Sequence, residues 1–306
     1  MNILITGGFG FIGSNIANRY IEYGHNVTIL SKTNRKKDNI IYNNYNLILK
    51  DIKDIVHDDL LHIDLIFHCA STVDNYNILS DPYLDANVNI IGTIALLEAA
   101  KNTNIRIIYT STFFVTGNSN ELPANNNTNV EPLALYGATK LCAEHILKTY
   151  NRVYNVDIVI ARLSNVFGNG EVSNNNKKAA LNRMIYIATH NLDVINLYDN
   201  GKIYRDYIFI SDVIDALITL STHGENNKVY YIGRGEAVQF RKIIDLIIKH
   251  TNFSNIKTIN PPKFHKQVGI DNFYCNISDL KKLGWSPKVS LEDGIIKTIK
   301  GYKNGN

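Results

Sequence analysis

Three glycines at the end of the first apolar segment constrain the fold more than any other feature. Asn2–Thr6 is rich in Ile and Leu, and it leads directly into Gly7, Gly10 and Gly13, with a helical pattern over 13–23. Gly7 permits a tight turn, Gly10 lets the backbone approach a pyrophosphate, and Gly13 lets the helix pack close to the strand. The helix N-terminus offers N–H groups and a positive dipole to phosphates. A strand, this loop and a helix in that order predict a dinucleotide-binding unit.

Beyond this loop, apolar strand-like segments alternate with amphipathic segments of helical length. The predicted strands are 2–6, 27–30, 47–49, 65–69, 106–110 and 156–161, and the predicted helices are 13–23, 85–102 and 136–154. Such alternation, with strands apolar on both faces, is typical of a parallel sheet covered by helices on both sides. The predicted fold class is therefore α/β, a Rossmann-type doubly wound parallel sheet with a smaller C-terminal α/β substrate lobe.

The regular alternation of strands and helices ends after Asn165. Gly and Asn become frequent over 168–176, and the predicted elements that follow are shorter. A strand at 207–210 and a helix at 211–221 fit the first unit again. We expect an NAD(P)-binding domain over residues 1–165 and about 206–225, and a smaller substrate-binding lobe over residues 166–205 and 226–306.

Composition excludes several other classes of protein. Lys+Arg 32 against Asp+Glu 28 gives a net charge of +4, which is too small and too evenly spread for a nucleic-acid-binding surface. The cysteines Cys69, Cys142 and Cys275 form neither a disulfide framework nor a metal-binding spacing. No apolar run approaches the ~20 residues that cross a bilayer. We expect a cytoplasmic protein with no nucleic-acid partner, no membrane contact and no metal.

The end of the second strand bears on cofactor choice. A carboxylate there selects NAD through the ribose 2′-hydroxyl, but this chain has Ser31 and Lys32, followed by Arg35. A hydroxyl and two cations suit a 2′-phosphate, so NADP is favoured and NAD is the alternative; a solvated basic loop would give the same pattern. Asp51 follows the third strand, where it can accept from the adenine amino group or cap a helix.

A tyrosine and a lysine at i and i+4 predict the reacting group. Tyr136 and Lys140 open a predicted helix and project from one face of it. An ammonium group beside a phenol favours the phenolate and lowers the tyrosine pKa toward neutrality, which suits a general acid or base. Thr112 lies near the end of the fifth strand, at the edge where parallel sheets bind ligands. Its hydroxyl could bond the oxygen that Tyr136 protonates.

These motifs together resemble the extended short-chain dehydrogenases/reductases that act on nucleotide sugars. The resemblance spans essentially the whole chain. It rests on residues 7–13, 68–71, 89–93, 111–112, 136–140, 162–165, 205–212 and 283–287.

The resemblance implies a role for each matching residue. Tyr136 is the expected acid/base, Lys140 tunes it and binds the nicotinamide ribose, and Thr112 takes the place of the family's catalytic Ser/Thr. Asn165 and Arg205 are expected at the sugar diphosphate, together with Lys266, which stands where many relatives carry an arginine. The predicted cofactor site is Gly7, Gly10, Phe11, Ile12, Gly13, Ser31, Lys32, Arg35, Asp51, Ile52, Ala70, Tyr136 and Lys140.

Departures from the family pattern reduce the number of candidate reactions. Its 4,6-dehydratases carry an Asp–Glu pair after the catalytic threonine, whereas this chain has Phe113 and Phe114, so a dehydratase is disfavoured. Thr116 replaces the tyrosine that usually precedes Gly117. The favoured hypothesis is an NADPH-dependent reductase of a 4-keto-6-deoxy nucleotide sugar. The alternatives are a 4-epimerase with retained NAD and, less favoured, a dinucleotide-binding protein without catalysis.

Helices 85–102 and 136–154 resemble those that form a four-helix dimer interface in relatives. A homodimer of C2 symmetry is therefore predicted. The expected apolar contacts are Ala95, Leu96, Ala99, Leu141, Ala143 and Ile146, although packing on the sheet would use the same residues.

Overall fold

The computed structural model describes residues 1–34, 40–72, 81, 83–171 and 180–304. Its strands are β1 Asn2–Thr6, β2 Asn26–Ser31, β3 Asn46–Leu49, β4 Leu65–His68, β5 Arg106–Thr112, β6 Asp157–Leu163, β7 Asn165–Phe167, β8 Ile195–Tyr198, β9 Tyr204–Arg205, β10 Tyr207–Phe209, β11 Lys228–Ile232, β12 Val238–Gln239 and β13 Ile256–Ile259. Its α-helices are α1 Phe11–Glu22, α2 Tyr83–Asp85, α3 Gly92–Ala100, α4 Leu135–Tyr154, α5 Ala180–His190, α6 Ile210–His223, α7 Phe240–Thr251, α8 Lys263–Val268, α9 Ser278–Lys282 and α10 Leu291–Lys303. A π-helical segment, Ala86–Ile91, joins α2 to α3, and 3-10 turns cover Ile52–Asp54, His57–Leu60, Phe113–Val115 and Asp199–Gly201.

Seven parallel strands form the central sheet in the order β11-β6-β5-β4-β1-β2-β3. Side chains alternate between its two faces. On β1, Ile3 and Ile5 join a core with Ile16 of α1, while Leu4 joins a separate core with Leu96 of α3 and Leu147 of α4. The predicted α/β, Rossmann-type doubly wound sheet is confirmed.

The order of the strands reverses at β1, which pairs with β2 on one side and β4 on the other. Open α/β sheets bind ligands at such a switch point, beyond the carboxyl ends of the strands. Thr6, His68 and Thr112 end β1, β4 and β5 at this edge. The fold therefore gathers the glycine turn and the hydroxyl cluster on one side of the sheet.

One predicted domain boundary needs correction. The predicted smaller lobe over residues 226–306 includes β11, but this strand pairs in parallel with β6 and completes the main sheet. Its Tyr230, Tyr231 and Ile232 are buried, as a strand in a covered sheet requires. The remaining division into two lobes stays a proposal.

The smaller elements of the second half of the chain pack around α5, α7 and α10. Two small sheets, β8 with β13 and β9 with β12, accompany α5, α7 and α10. The Asp212 carboxylate accepts from the backbone N–H groups of Lys288 and Val289 at 3.1 and 3.0 Å, and the Trp285 indole N–H donates to the Asp212 carbonyl at 3.2 Å. These bonds fix the C-terminal segment to the main domain.

The predicted dimer contacts are partly wrong. Leu96, Ala99 and Ala143 are buried within the chain, where they pack in the core beneath α3 and α4, so they cannot supply apolar surface to a partner. Ala95, Leu141 and Ile146 are half-buried. The homodimer itself stays a prediction.

Among the helices described, none combines the length and hydropathy of a membrane span.

Candidate active site

The glycine turn between β1 and α1 is closed by backbone hydrogen bonds. Gly7 has a φ of +65°, and its N–H donates to the Leu30 carbonyl at 3.0 Å. The Gly10 N–H donates to the Gly7 carbonyl at 2.8 Å. A Cβ on Gly7 would lie 2.9 Å from the backbone of Ala70, and one on Gly13 would lie 2.5 Å from the Gly7 carbonyl oxygen. The two glycines thus permit the close approach of β1, α1 and the end of β4.

A dinucleotide fits this cradle. Gly10 caps α1 without a side-chain hydrogen bond, and the first turn of α1 carries no acidic residue. The N–H groups of Phe11, Ile12 and Gly13 lie in that first turn, where an α-helix provides no internal acceptors. An anionic pyrophosphate is the group that such a helix end favours.

Replacing Gly13 by Ala tests the cradle. The added Cβ would collide with the Gly7 carbonyl, so α1 must move away from the turn. We expect Gly13→Ala to lower the affinity for the dinucleotide at least tenfold in an equilibrium titration. Gly24→Ala is the control, because Gly24 follows the other end of α1 and its added Cβ would have nothing within 4 Å. Its φ of +77° adds a backbone strain that Gly13→Ala does not have. Equal losses from both variants would contradict the assignment.

The predicted adenosine-ribose site is only partly described. Ser31 lies at the end of β2, where its hydroxyl donates to the Thr33 carbonyl at 2.9 Å, and Lys32 is exposed. Asp51 accepts from the Lys53 N–H at 3.3 Å and caps the 3-10 turn Ile52–Asp54, which is the capping alternative. Ile52 is buried against Gly92, so its side chain serves packing. Arg35 lies outside the described residues.

Tyr136 is placed on the first turn of α4, against the end of β5. The hydroxyls of Thr112 and Ser71 lie beside its phenol, where they act to lower the pKa of that group. Thr112 also accepts from the Phe114 N–H at 3.3 Å, which fixes the turn after β5. The Phe114 ring meets the Tyr136 ring edge-on, with 5.9 Å between centroids. The structure therefore brings Tyr136, Thr112 and Ser71 together, and the catalytic roles of Tyr136 and Thr112 stay predictions.

Lys140 lies one helical turn deeper, with 1% of its surface exposed. Its Nζ is 4.1 Å from the centroid of the Tyr109 ring, which places the amine over an aromatic face. Burial lowers the pKa of Lys140 to about 7, while Cys69 and Glu144 act against that shift. The amine is therefore poised between its charged and neutral forms near neutral pH.

The expected effect on the tyrosine has the opposite sign in this structure. Burial raises the pKa of Tyr136 to about 12, and the hydrogen bonds from Ser71 and Thr112 offset only part of that rise. Lys140 does not lower it, because its amine faces Tyr109. The loss of hydration raises the pKa of the phenol by more than the neighbouring amine lowers it.

A buried polar network beneath Tyr136 was missed by sequence reasoning. The amide of Asn89 donates to the Thr139 hydroxyl at 3.0 Å, and its oxygen accepts from the Ser71 hydroxyl at 2.9 Å. Asn89 lies in the π-helical segment, whose wider turn is often found at functional sites. The motif over 89–93 was a signal, but it did not reveal that Asn89 supports Ser71.

His68 anchors the end of β4 in the same network. Its Nδ1 lies 2.7 Å from the Thr6 hydroxyl and its Nε2 lies 3.0 Å from the Thr93 hydroxyl. Burial and the charge of Lys140 lower the pKa of His68 to about 3, so the ring is neutral at physiological pH. The Thr6 hydroxyl also accepts from the Ala70 N–H, which ties β1 to the segment after β4.

The predicted diphosphate ligands Asn165, Arg205 and Lys266 lie on β7, β9 and α8. The Arg205 guanidinium donates to the carbonyls of Tyr204 and Asp271, at 3.0 and 2.6 Å, and to that of Ile270. Among the described carboxylates, none forms an ion pair with Arg205. Lys266 is exposed on α8, just before the segment that Arg205 holds.

Asp206 organises this region, although the sequence indicated only its place in a motif. Its carboxylate is fully buried and accepts from the N–H groups of Arg234, Gly235 and Cys275. Its carbonyl accepts from both the backbone N–H and the side-chain amide of Asn165, each at 3.1 Å. Asn165 and Arg205 are thereby held beside each other.

Similarity to known proteins extends over almost the whole chain. Residues 3–233 match the model of the NAD dependent epimerase/dehydratase family. A putative UDP-glucose 4-epimerase of Methanocaldococcus jannaschii is 29% identical over 309 residues, covering 99% of each chain.

Two solved structures share the fold at 25% identity. UDP-glucose 4-epimerase of Thermotoga maritima, with UDP-glucose, superposes with a TM-score of 0.92 and covers 100% of this chain and 99% of its own. UDP-glucuronic acid 4-epimerase of Bacillus cereus, in complex with UDP-glucuronic acid and NAD, superposes with a TM-score of 0.89 and full coverage of both chains.

Proposed function

The chain belongs to the NAD dependent epimerase/dehydratase family, and from that premise we propose that it is a nucleotide-sugar 4-epimerase that retains NAD. The observation that carries the proposal is the enclosed Tyr136 phenol, which lies beside the hydroxyls of Thr112 and Ser71 at the sheet edge that also holds the glycine turn. Full-length similarity to UDP-sugar 4-epimerases favours this function over the NADPH-dependent reductase that the sequence alone favoured.

Tyr136 supplies the proton chemistry in this proposal. When bound, NAD provides a hydride acceptor at the sugar carbon and a positive charge that lowers the pKa of a nearby phenol. Bound NAD would accept hydride from C4 and would return it to the opposite face of that carbon. Tyr136, as the phenolate, would accept the proton of the C4 hydroxyl and later return it to the same oxygen, which Thr112 hydrogen-bonds. Between the two transfers the 4-keto sugar would have to rotate in the site.

Arg205 and Asn165 hold the diphosphate in this proposal. A guanidinium suits a planar, bidentate contact with phosphate oxygens. Arg205 is already oriented by the carbonyls of residues 270 and 271, and Asn165 by Asp206. Lys266 adds a positive charge on α8.

The wall beside Tyr136 disfavours a dehydratase. Phe113 is buried against Phe273, with 4.7 Å between ring centroids, and Phe114 packs on Tyr136. Neither position carries a carboxylate that could move the proton needed for water elimination.

NAD is the cofactor that we propose, in place of the NADP that the basic loop favoured. The Bacillus cereus relative was solved with NAD. In this chain the Ser31 hydroxyl already bonds the Thr33 carbonyl within its own turn, which weakens the case for Ser31 as a 2′-phosphate ligand.

One experiment tests both parts of the proposal. Purified protein is denatured and the released nucleotide is identified; the native protein is then incubated with UDP-glucose and no added cofactor. We expect stoichiometric NAD and formation of UDP-galactose. Gly13→Ala, which should lose NAD, should be inactive until NAD is added in excess. An empty site that turns over a 4-keto-6-deoxy nucleotide sugar with NADPH would restore the reductase hypothesis.

A further inference from the structure

A buried carboxylate lies next to the predicted diphosphate ligands, and the chemistry proposed above gives it no role. Asp206 is 0% exposed and lies between β9 and β10, directly after Arg205. Its Oδ1 accepts from the Arg234 N–H at 2.8 Å. Its Oδ2 accepts from the N–H groups of Gly235 and Cys275 at 3.0 and 3.3 Å, and from the Cys275 thiol at 3.3 Å. The carboxylate thus joins three segments that are distant in sequence.

The carbonyl of Asp206 holds one of the predicted ligands directly. It accepts from both the backbone N–H and the side-chain amide of Asn165, each at 3.1 Å. Because the amide group is planar, this contact also fixes the direction of its oxygen and of its second N–H. A shift of the Asp206 backbone would therefore turn the side chain of Asn165.

The segment 270–275 connects the same carboxylate to the other predicted ligand. The Phe273 N–H donates to the Tyr204 carbonyl at 3.1 Å, which fixes this segment along β9. The first two carbonyls of the segment accept from the guanidinium of Arg205. At its other end, Cys275 is bonded to the carboxylate through its N–H and its thiol. The carboxylate therefore anchors the segment that orients Arg205.

A negative charge beside an expected diphosphate is unfavourable, because like charges repel each other strongly in a buried site. The guanidinium of Arg234 does not offset it, since this group donates to Glu236 at 2.9 Å and to the Val289 carbonyl. The donors to Asp206 are instead backbone N–H groups and a thiol, whose positions are set by the fold. Hydrogen bonds to an ionised acceptor are the stronger kind, so a carboxylate holds these segments more firmly than an amide would.

We propose that Asp206 is a positioning residue of the diphosphate subsite: it fixes Asn165 through its carbonyl and Arg205 through the segment 270–275, and it thereby sets the affinity for a nucleoside diphosphate. The inference rests on the proposed function, which places the diphosphate at Asn165 and Arg205. Since Asp206 does not contact the reacting groups, its replacement should change binding and not the rate of the chemical step.

The test measures the affinity of the protein, saturated with NAD, for UDP, GDP and dTDP by calorimetric titration, because the subsite concerns the diphosphate and not the base. Asp206→Asn keeps the shape of the side chain but places an amide N–H against donors. We expect the affinity for the best-bound diphosphate to fall about tenfold, the smaller end of what a hydrogen bond to a charged group contributes. KM for UDP-glucose should rise by the same factor, while kcat and the NAD content stay unchanged.

Asp212→Asn is the matched control. Asp212 is also a buried carboxylate, and it accepts from the backbone N–H groups of Lys288 and Val289 at 3.1 and 3.0 Å. Both variants should lower Tm, but Asp212→Asn should leave the diphosphate affinity unchanged. An unchanged affinity in Asp206→Asn, or an equal loss in both variants, would overturn the proposal, because a merely structural role would then account for Asp206.

A second variant displaces the carboxylate without removing its charge, should Asp206→Asn fold poorly. A Cβ on Gly233 would lie 2.5 Å from Oδ2 of Asp206 and 2.6 Å from the sulfur of Cys275, so Gly233→Ala must also lower the diphosphate affinity. Wild-type protein that binds none of the three diphosphates would overturn the proposal. Lowered diphosphate affinity in the variants of a protein that does not epimerise UDP-glucose would support it, and would count against the proposed function only.

Discussion

Tyr136→Phe is expected to reduce turnover about 10²–10⁴-fold, the range that a positioned general acid or base contributes. The substitution removes one oxygen and keeps the ring, which packs edge-on against Phe114. Lys140 and the glycine turn are unchanged, so NAD should remain bound. The measurement is kcat for UDP-glucose epimerisation, beside the amount of NAD released on denaturation.

Two variants separate the proton role of Tyr136 from its place in the structure. Thr112→Val should lose less activity, because its hydroxyl orients the reacting oxygen and does not carry the proton. Tyr230→Phe is the matched control: Tyr230 is also buried, and its hydroxyl accepts only from the Glu225 N–H in the contacts described. Near-normal turnover by Tyr136→Phe would remove the central claim, whichever sugar is the substrate.

The parts of the site that depend on local sequence could be predicted. The turn between β1 and α1 is set by residues that are adjacent in the chain, so the glycine spacing between a strand and a helix indicated its geometry. Tyr136 and Lys140 share a helix face because i and i+4 positions always do.

The place of β11 in the main sheet could not be predicted, because its sequence pattern is no different from that of strands in a smaller lobe. Only its pairing with β6 reveals its place.

The electrostatics of the site depend on contacts between distant segments, and these could not be read from spacing. The pKa of Tyr136 is raised because the fold buries it, although the adjacent lysine suggested the reverse. Likewise, Glu144 and Arg162 are 18 residues apart and meet only because α4 packs across β5 and β6. Burial raises the pKa of Tyr136, and helix packing brings Glu144 to Arg162. Both effects arise only in the assembled fold.

Lys140→Met is expected to reduce both turnover, on the order of 10²-fold or more, and the affinity for NAD. Lys140 is buried beneath Tyr136 and over the Tyr109 ring, at the place where the nicotinamide ribose is expected. Met keeps most of the volume but offers neither charge nor a hydrogen-bond donor. Turnover and NAD titration measure the two losses, and a variant that loses rate but binds NAD normally would show that Lys140 does not contact the cofactor.

The same variant should gain stability, and the pH dependence of that gain identifies its cause. The pKa of Lys140 is about 7 in the folded chain and 10.5 as the ordinary value, so between these values the unfolded chain binds more protons and folding stability rises with pH. The stability penalty from Lys140 is thus fully present below pH 7 and disappears as pH approaches 10.5. Lys140→Met removes it, so thermal melts of NAD-free protein should show a higher Tm for the variant at pH 7 and a shrinking difference toward pH 10. A constant difference across this range would mean that packing, and not the buried charge, sets the stability at this position.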